Sequence, residues 1–154
     1  MIEKLDVIIR EQPFFKGLEE RHIKLIAGCA KNVRFKEGKV IFREGDPAHQ
    51  FFLIREGQVA IEVMIPQRGF NTIQTVQEGD VLGWSWLLEP YRWHFGARTQ
   101  RPTRALAFDG KCLRGKCERD HDLGYELFKR FTRLMTERLE ATVLQFLDLY
   151  GPNA

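Results

Sequence analysis

Residues 33–63, VRFKEGKVIFREGDPAHQFFLIREGQVAIEV, decide the fold. Val33 and Phe35 alternate with polar neighbours, the period of a half-buried strand. Gly38 turns the chain into Val40-Ile41-Phe42, and Glu44-Gly45-Asp46-Pro47 turns it again. Phe51-Phe52-Leu53-Ile54 is a short continuous apolar run, the mark of a buried strand. Gly57 makes a tight turn into the alternating Val59, Ile61 and Val63. Further on, Gln67-Arg68-Gly69 reads as a polar hairpin tip, residues 73–76 as a returning strand, and Glu78-Gly79-Asp80 as another corner. Short strands divided by glycine-containing turns every eight to twelve residues or so predict an antiparallel sandwich or barrel.

Helical signals flank this region. In the first dozen residues Leu5, Ile8 and Ile9 share one side of a short helix, which Pro13 ends. Phe14, Phe15 and Leu18 form an apolar turn around Gly17, and Glu19 to Lys31 reads as a second helix with Ile23, Ile26 and Ala27 at helical spacing. Asp109 can cap a short helix reaching about Cys117. From Asp120 to Tyr150 there is no proline and one early glycine, Gly124. Phe131, Met135, Leu139, Val143, Phe146 and Tyr150 recur at intervals of three and four. A helix of that length extends about 46 Å, more than a domain of this size needs to cover its own core. The surplus apolar face predicts a second copy of the chain as partner, a homodimer. Arg138 and Gln145 interrupt any strict heptad.

Bulk composition narrows the function. The 154 residues suit one domain, and 44% hydrophobic with 29% charged residues is a globular balance. No apolar run approaches the roughly 18 residues that span a bilayer, and the charged N-terminus lacks a signal-peptide core, so a cytoplasmic protein is expected. A net charge of +3 is too mild to predict direct nucleic-acid binding. The local excess Arg98, Arg101, Arg104, Lys111, Arg114 and Lys116 reads as a solvated surface. Cys29, Cys112 and Cys117 read as reduced thiols, and neither they nor the four scattered histidines have metal-ligand spacing. Ser85 and His94 share a segment but lack an orienting acid, so no catalytic constellation is visible.

The ordered series Phe14-Phe15-Lys16-Gly17-Leu18, Phe35-x-x-Gly38-x-Val40-Ile41-Phe42-x-Glu44-Gly45-Asp46, Phe51-Phe52-Leu53-Ile54-x-x-Gly57-x-Val59-x-Ile61 and Gly79-Asp80-x-x-Gly83 resembles the cyclic nucleotide-binding domain of Crp/Fnr-type regulators. The resemblance covers roughly residues 12 to 150. It implies a mainly β fold, a double-stranded, jelly-roll-like β-roll with flanking helices and a long C-terminal dimerisation helix. The domain expectation is one unit over 1–150: N-terminal helices at 1–31, the β-roll at 32–108, and C-terminal helices at 109–150.

Two departures from the family pattern matter. Family transcription factors continue into a helix-turn-helix module, whereas this sequence ends at Ala154, close after Tyr150. It begins at Met and tails off in Gly-Pro-Asn-Ala, which favours a natural full length without DNA-binding apparatus. The second departure lies in GDVLGWSWLLEPYRWHFGAR, residues 79–98, which holds all three tryptophans. Cyclic AMP-binding relatives place a glutamate after the cassette glycine and an Arg-Ser/Thr pair about ten residues later. Here Gly83 keeps its place, but Trp84, His94 and Phe95 stand at the glutamate, arginine and hydroxyl positions. The usual charge-assisted grip on the cyclic phosphate is missing.

The remaining polar groups predict a shifted anion site. Gly83, Trp84 and Ser85 would open a short helix over 84–89 with amides facing the pocket. Arg92, His94 and Arg98 would flank the anion, His94 and Arg98 sharing strand parity. Trp84, Trp86, Tyr91 and Trp93 could stack on a flat ligand or fill the cavity themselves. The expectation is a non-catalytic regulatory sensor with no certain cofactor, taking a nucleotide-like or other anionic small molecule rather than cyclic AMP, and signalling through the C-terminal helix. The alternatives are a protein-interaction module with a plugged pocket, bound to a protein partner, and a cyclic AMP-binding relative working with a separate DNA-binding partner.

Overall fold

Alternation and glycine corners produce two antiparallel four-stranded sheets in the computed structural model, which describes residues 4–151. Among these residues the chain forms α1 (Leu5–Glu11), a 3-10 turn (Pro13–Phe15) and α2 (Glu20–Ala27), followed by the strands. These are β1 (Ala30–Phe35), β2 (Val40–Phe42), β3 (Gln50–Glu56), β4 (Gln58–Ile65), β5 (Gly69–Gln77), β6 (Val81–Leu82), β7 (Gly96–Thr99) and β8 (Thr103–Asp109). Then come α3 (Gly110–Arg119) and α4 (His121–Tyr150). One sheet runs β1-β8-β3-β6 and the other β2-β7-β4-β5. The fold is a mainly β roll with flanking helices and a long C-terminal helix, as the motif series implied.

The β3 run is apolar throughout because both faces are covered. Phe52 and Ile54 enter the core between the sheets with Val59, Ile61 and Val76. Phe51 and Leu53 enter a second core beneath the helices with Phe15, Leu127 and Phe131. β8 divides likewise, with Ala105 and Ala107 inside the roll and Leu106 and Phe108 under the helices. In β8 the large side chains thus serve the helical side, and the alanines allow the sheets to approach. Gly57, at φ +119°, joins β3 to β4, and a Cβ there would lie 2.8 Å from the Thr103 Cα. Only glycine fits this corner.

Three local expectations change. The second helix ends at Ala27 rather than Lys31, because Ala30 and Lys31 pair with Phe108 and Ala107 in the sheet. β4 is not simply alternating: Val59, Ala60, Ile61 and Glu62 are all buried, with a register shift between Ile61 and Glu62. Cys29 and Cys112 are not free thiols but a disulfide. They are 83 residues apart in sequence, yet their Cα atoms are 5.8 Å apart. The β1–β8 ladder causes this, since the Asp109 amide donates to the Cys29 carbonyl and carries the start of α3 to the end of α2. Cys117 remains a thiol, its pKa pushed up to about 11 by burial and by nearby Glu118.

Both C-terminal helices have carboxylate caps. Asp109 accepts from the Cys112 amide at 2.8 Å, and Asp120 accepts from the Leu123 amide at 3.2 Å. The Arg21 guanidinium also pairs with Asp120, tying α4 to α2. Leu123, Leu127 and Phe131 are fully buried, whereas Leu139, Leu144, Leu147 and Leu149 are exposed. No helix among the described residues is long and apolar enough to cross a membrane.

Candidate ligand pocket

The loop from Gly83 to Phe95 leaves β6 and returns in β7, forming the mouth of the roll. The predicted helix over 84–89 is absent. Successive turns stand in its place, with the Leu87 amide donating to the Trp84 carbonyl and the Tyr91 amide to the Leu88 carbonyl. Trp86 accounts for the difference. Its indole is fully buried beneath the helices, 5.0 Å from the Phe51 ring and 5.4 Å from Phe131. Arg114 of α3 also donates to the Trp86 carbonyl, at 2.6 Å. This inward anchor replaces the expected helical amide array, so the helix-terminus contribution to anion binding falls away.

Gly83, Trp84, Ser85 and His94 do come together, around a cavity also lined by Phe42, Ile61, Leu82, Trp93, Phe95 and Arg138. The cavity is nearly filled. Trp93 stacks flat on Phe42, with centroids 3.7 Å apart and planes 7° from parallel. Gly83 sits at φ +97°, and a Cβ there would lie 2.6 Å from the Trp93 ring. The missing side chain at Gly83 is what admits the indole. About 30 Å³ remains, room for a water-sized group.

Arg92 and Arg98 lie elsewhere. Arg92 bridges to Pro47 in an isolated β pairing, and its side chain donates to the Gly45 carbonyl at 2.9 Å. Arg98 donates to the buried Glu62 at 3.2 Å and sits 5.4 Å over the Phe70 ring. It lines a neighbouring cleft of about 230 Å³. The parity argument fails because β7 begins at Gly96, so His94 and Phe95 lie in a bend before the strand. A larger groove of about 700 Å³ lies along α3. Two of its cations are already engaged, Arg114 at the Trp86 carbonyl and over the Tyr91 ring, and Lys116 at the Leu25 carbonyl.

The sequence reading did not assign Arg138 to the pocket. This residue projects from α4 onto Trp84, 5.2 Å from the ring centroid, and donates through Nη2 to the Val81 carbonyl. Its Nη1 is buried without a hydrogen-bond partner. Burial lowers its pKa to about 10, with Asp80 and Glu137 opposing that shift. One signal pointed to it, a permanent charge inside the apolar stripe of a long helix.

Comparisons with known proteins agree with this architecture. Residues 32–120 match the family described as the cyclic nucleotide-binding domain. The chain is 25% identical over 145 residues to a CRP-like cAMP-activated global transcriptional regulator of Mycobacterium tuberculosis, covering 94% of this chain and 63% of the regulator. It is 30% identical over 104 residues to cyclic nucleotide-gated ion channel 18 of Arabidopsis thaliana, covering 65% of this chain and 15% of the channel. The chain thus spans less than two thirds of the length of either relative. A solved structure from Geobacter metallireducens GS-15, described as a candidate cyclic nucleotide-binding protein, superposes with a TM-score of 0.80 at 29% identity, over 90% of this chain and 99% of that one. These relatives are described as a regulator, a channel and a binding protein. With its glycine corners, two-sheet roll and long final helix, the chain belongs to the cyclic nucleotide-binding domain family.

Proposed function

We propose that residues 1–150 act as one non-catalytic regulatory sensor. A small anionic molecule other than cyclic AMP enters the β-roll pocket, and α4 carries the response. The observation that carries this reading is the shared wall between pocket and helix. Arg138 of α4 rests on Trp84 and on the Val81 carbonyl, so a ligand that enlarges the cavity must disturb the helix's seat. Ligand binding then shifts the arrangement of α4 by its differential affinity for the two positions. The exposed apolar residues of α4 beyond Arg138 favour a homodimer as the unit that reads this shift.

Cyclic AMP is a poor fit, although a relative is activated by it. Trp84, His94 and Phe95 occupy the positions that would hold its ribose and phosphate. The test is a thermal-denaturation screen with cyclic nucleotides, nucleoside phosphates and small organic acids. At least one acid is expected to raise the melting temperature, and Ser85→Ala or His94→Ala to reduce that rise. If no compound moves the transition, the sensor reading fails.

One observation favours a second reading. The Phe42–Trp93 stack leaves only about 30 Å³, which suits a plugged module retained for binding a protein partner. A partner that binds equally with and without every tested ligand would select it.

A further inference from the structure

The pocket holds a cation with an unmet donor and a ring-shaped slot. Arg138 Nη1 is buried and unpartnered, while Nη2 is committed to the Val81 carbonyl. Among the described residues, no carboxylate lines the cavity. Asp80 and Glu137 act on the guanidinium only through space. A buried cation with an unused donor is costly until an anion meets it. In the same lining, Phe42 presents a flat face that Trp93 covers in parallel.

The Trp93 backbone is fixed. Its amide donates to the Asp46 carbonyl at 3.0 Å, and its carbonyl accepts from the Gly45 amide at 2.8 Å. Vacating the slot therefore requires the indole to turn about its own side-chain bonds while the loop stays in place. The ring face it would uncover is aromatic, and the charge available beside it is Arg138. A planar body with one acidic group matches both features, whereas a polyphosphate would bring more charge than the one lining arginine answers.

Building on the sensor reading of this pocket, we propose that its ligand is a planar aromatic acid whose acid group pairs with Arg138 and whose ring replaces Trp93 against Phe42. The acid meets the unused Nη1 while Nη2 keeps the Val81 carbonyl, so occupancy adds a direct contact between the ligand and α4.

Calorimetry with 2-naphthoate, the neutral 2-naphthamide, phenyl phosphate and cyclic AMP tests this, together with spectra of the indole N–H groups. Naphthoate or phenyl phosphate should bind about tenfold more tightly than naphthamide, the usual size of a charge-assisted contact. The Trp93 indole signal should shift more than that of Trp86. Arg138→Met should abolish the preference for the acid, Arg138→Lys should keep part of it, and Arg98→Met should leave it intact. An acid preference unchanged in a folded Arg138→Met protein overturns the pairing and leaves the sensor reading standing. Cyclic AMP binding more tightly than every aromatic acid, independently of Arg138, overturns the ligand class. If none of the four compounds binds the wild-type protein, the aromatic-acid proposal falls, and the sensor reading is decided separately by the broader denaturation screen.

Discussion

Phe131 and Phe146 belong to one helix and one apolar stripe, yet their surroundings are opposite. Phe131 is fully buried against Phe14, Phe51 and Trp86. Phe146 is 58% exposed and touches Tyr150 on its own helix. The change comes near Arg138, where α4 passes the mouth of the roll. Before that point the helix completes the domain's core. Beyond it, Leu139, Leu144, Leu147 and Leu149 present a surface the domain does not use. A single periodicity therefore runs through two settings, one packed and one exposed, and the pocket marks the boundary between them.

The largest test of this contrast is truncation of the two phenylalanines. Phe131→Ala should cost about 3–5 kcal/mol in urea unfolding, the range for emptying a large aromatic site in a packed core. Phe146→Ala should leave monomer stability nearly unchanged and weaken self-association, read by analytical ultracentrifugation. Equal destabilisation by both would erase the distinction between the two halves.

A smaller effect is expected at the boundary. Gly83→Ala places a methyl group in the space held by the Trp93 ring and puts a side chain at φ +97°. A loss of about 1–3 kcal/mol should follow, the usual size for overpacking, with a changed near-ultraviolet circular dichroism signal from the displaced indole. If that signal is unchanged, the Phe42–Trp93 stack does not set the pocket's size.

The smallest effect concerns the seated half of α4 and its dependence on pH. The Leu123 amide, helped by Arg21, holds the Asp120 carboxyl below its ordinary pKa. The stabilisation is therefore complete above the ordinary carboxylate range and is lost as the pH falls through the lowered value. Melting temperatures of wild type and Asp120→Asn should differ at neutral pH and converge on acidification. A gap of constant size down to strongly acidic pH would show that this cap does not respond to protonation in the folded protein.

Local chemistry explains what could be read in the residue order. Gly57 and the apolar run Phe51 to Ile54 announced a corner and a buried strand, because turn geometry and burial period are written in neighbouring residues. The Asp109 cap was legible for the same reason, whereas the sequence marks Asp120 only as the start of the last helix. The loop from Gly83 to Phe95 was not. Its conformation follows from Trp86 reaching Phe51 and Phe131, partners distant in sequence. Arg98 was grouped with His94 by assuming continuous strand parity, which the bend before Gly96 breaks, and Arg92 was added as a flanking charge although its side chain turns to the Gly45 carbonyl. The Cys29–Cys112 bond was hidden because the β1–β8 pairing brings the two cysteines together, not any spacing motif. Arg138 left a trace as a charge in an apolar stripe, but the stripe alone could not say which surface it faced.

The bond between Cys29 and Cys112 encloses every strand of the roll, from Ala30 to Asp109, in one covalent ring. Cleavage of a peptide bond at an exposed hairpin tip such as Gln67-Arg68 would open that ring without releasing a fragment. The nicked protein would keep its intact mass apart from one added water, and its two pieces would part only when a thiol reagent cut the sulfur link as well.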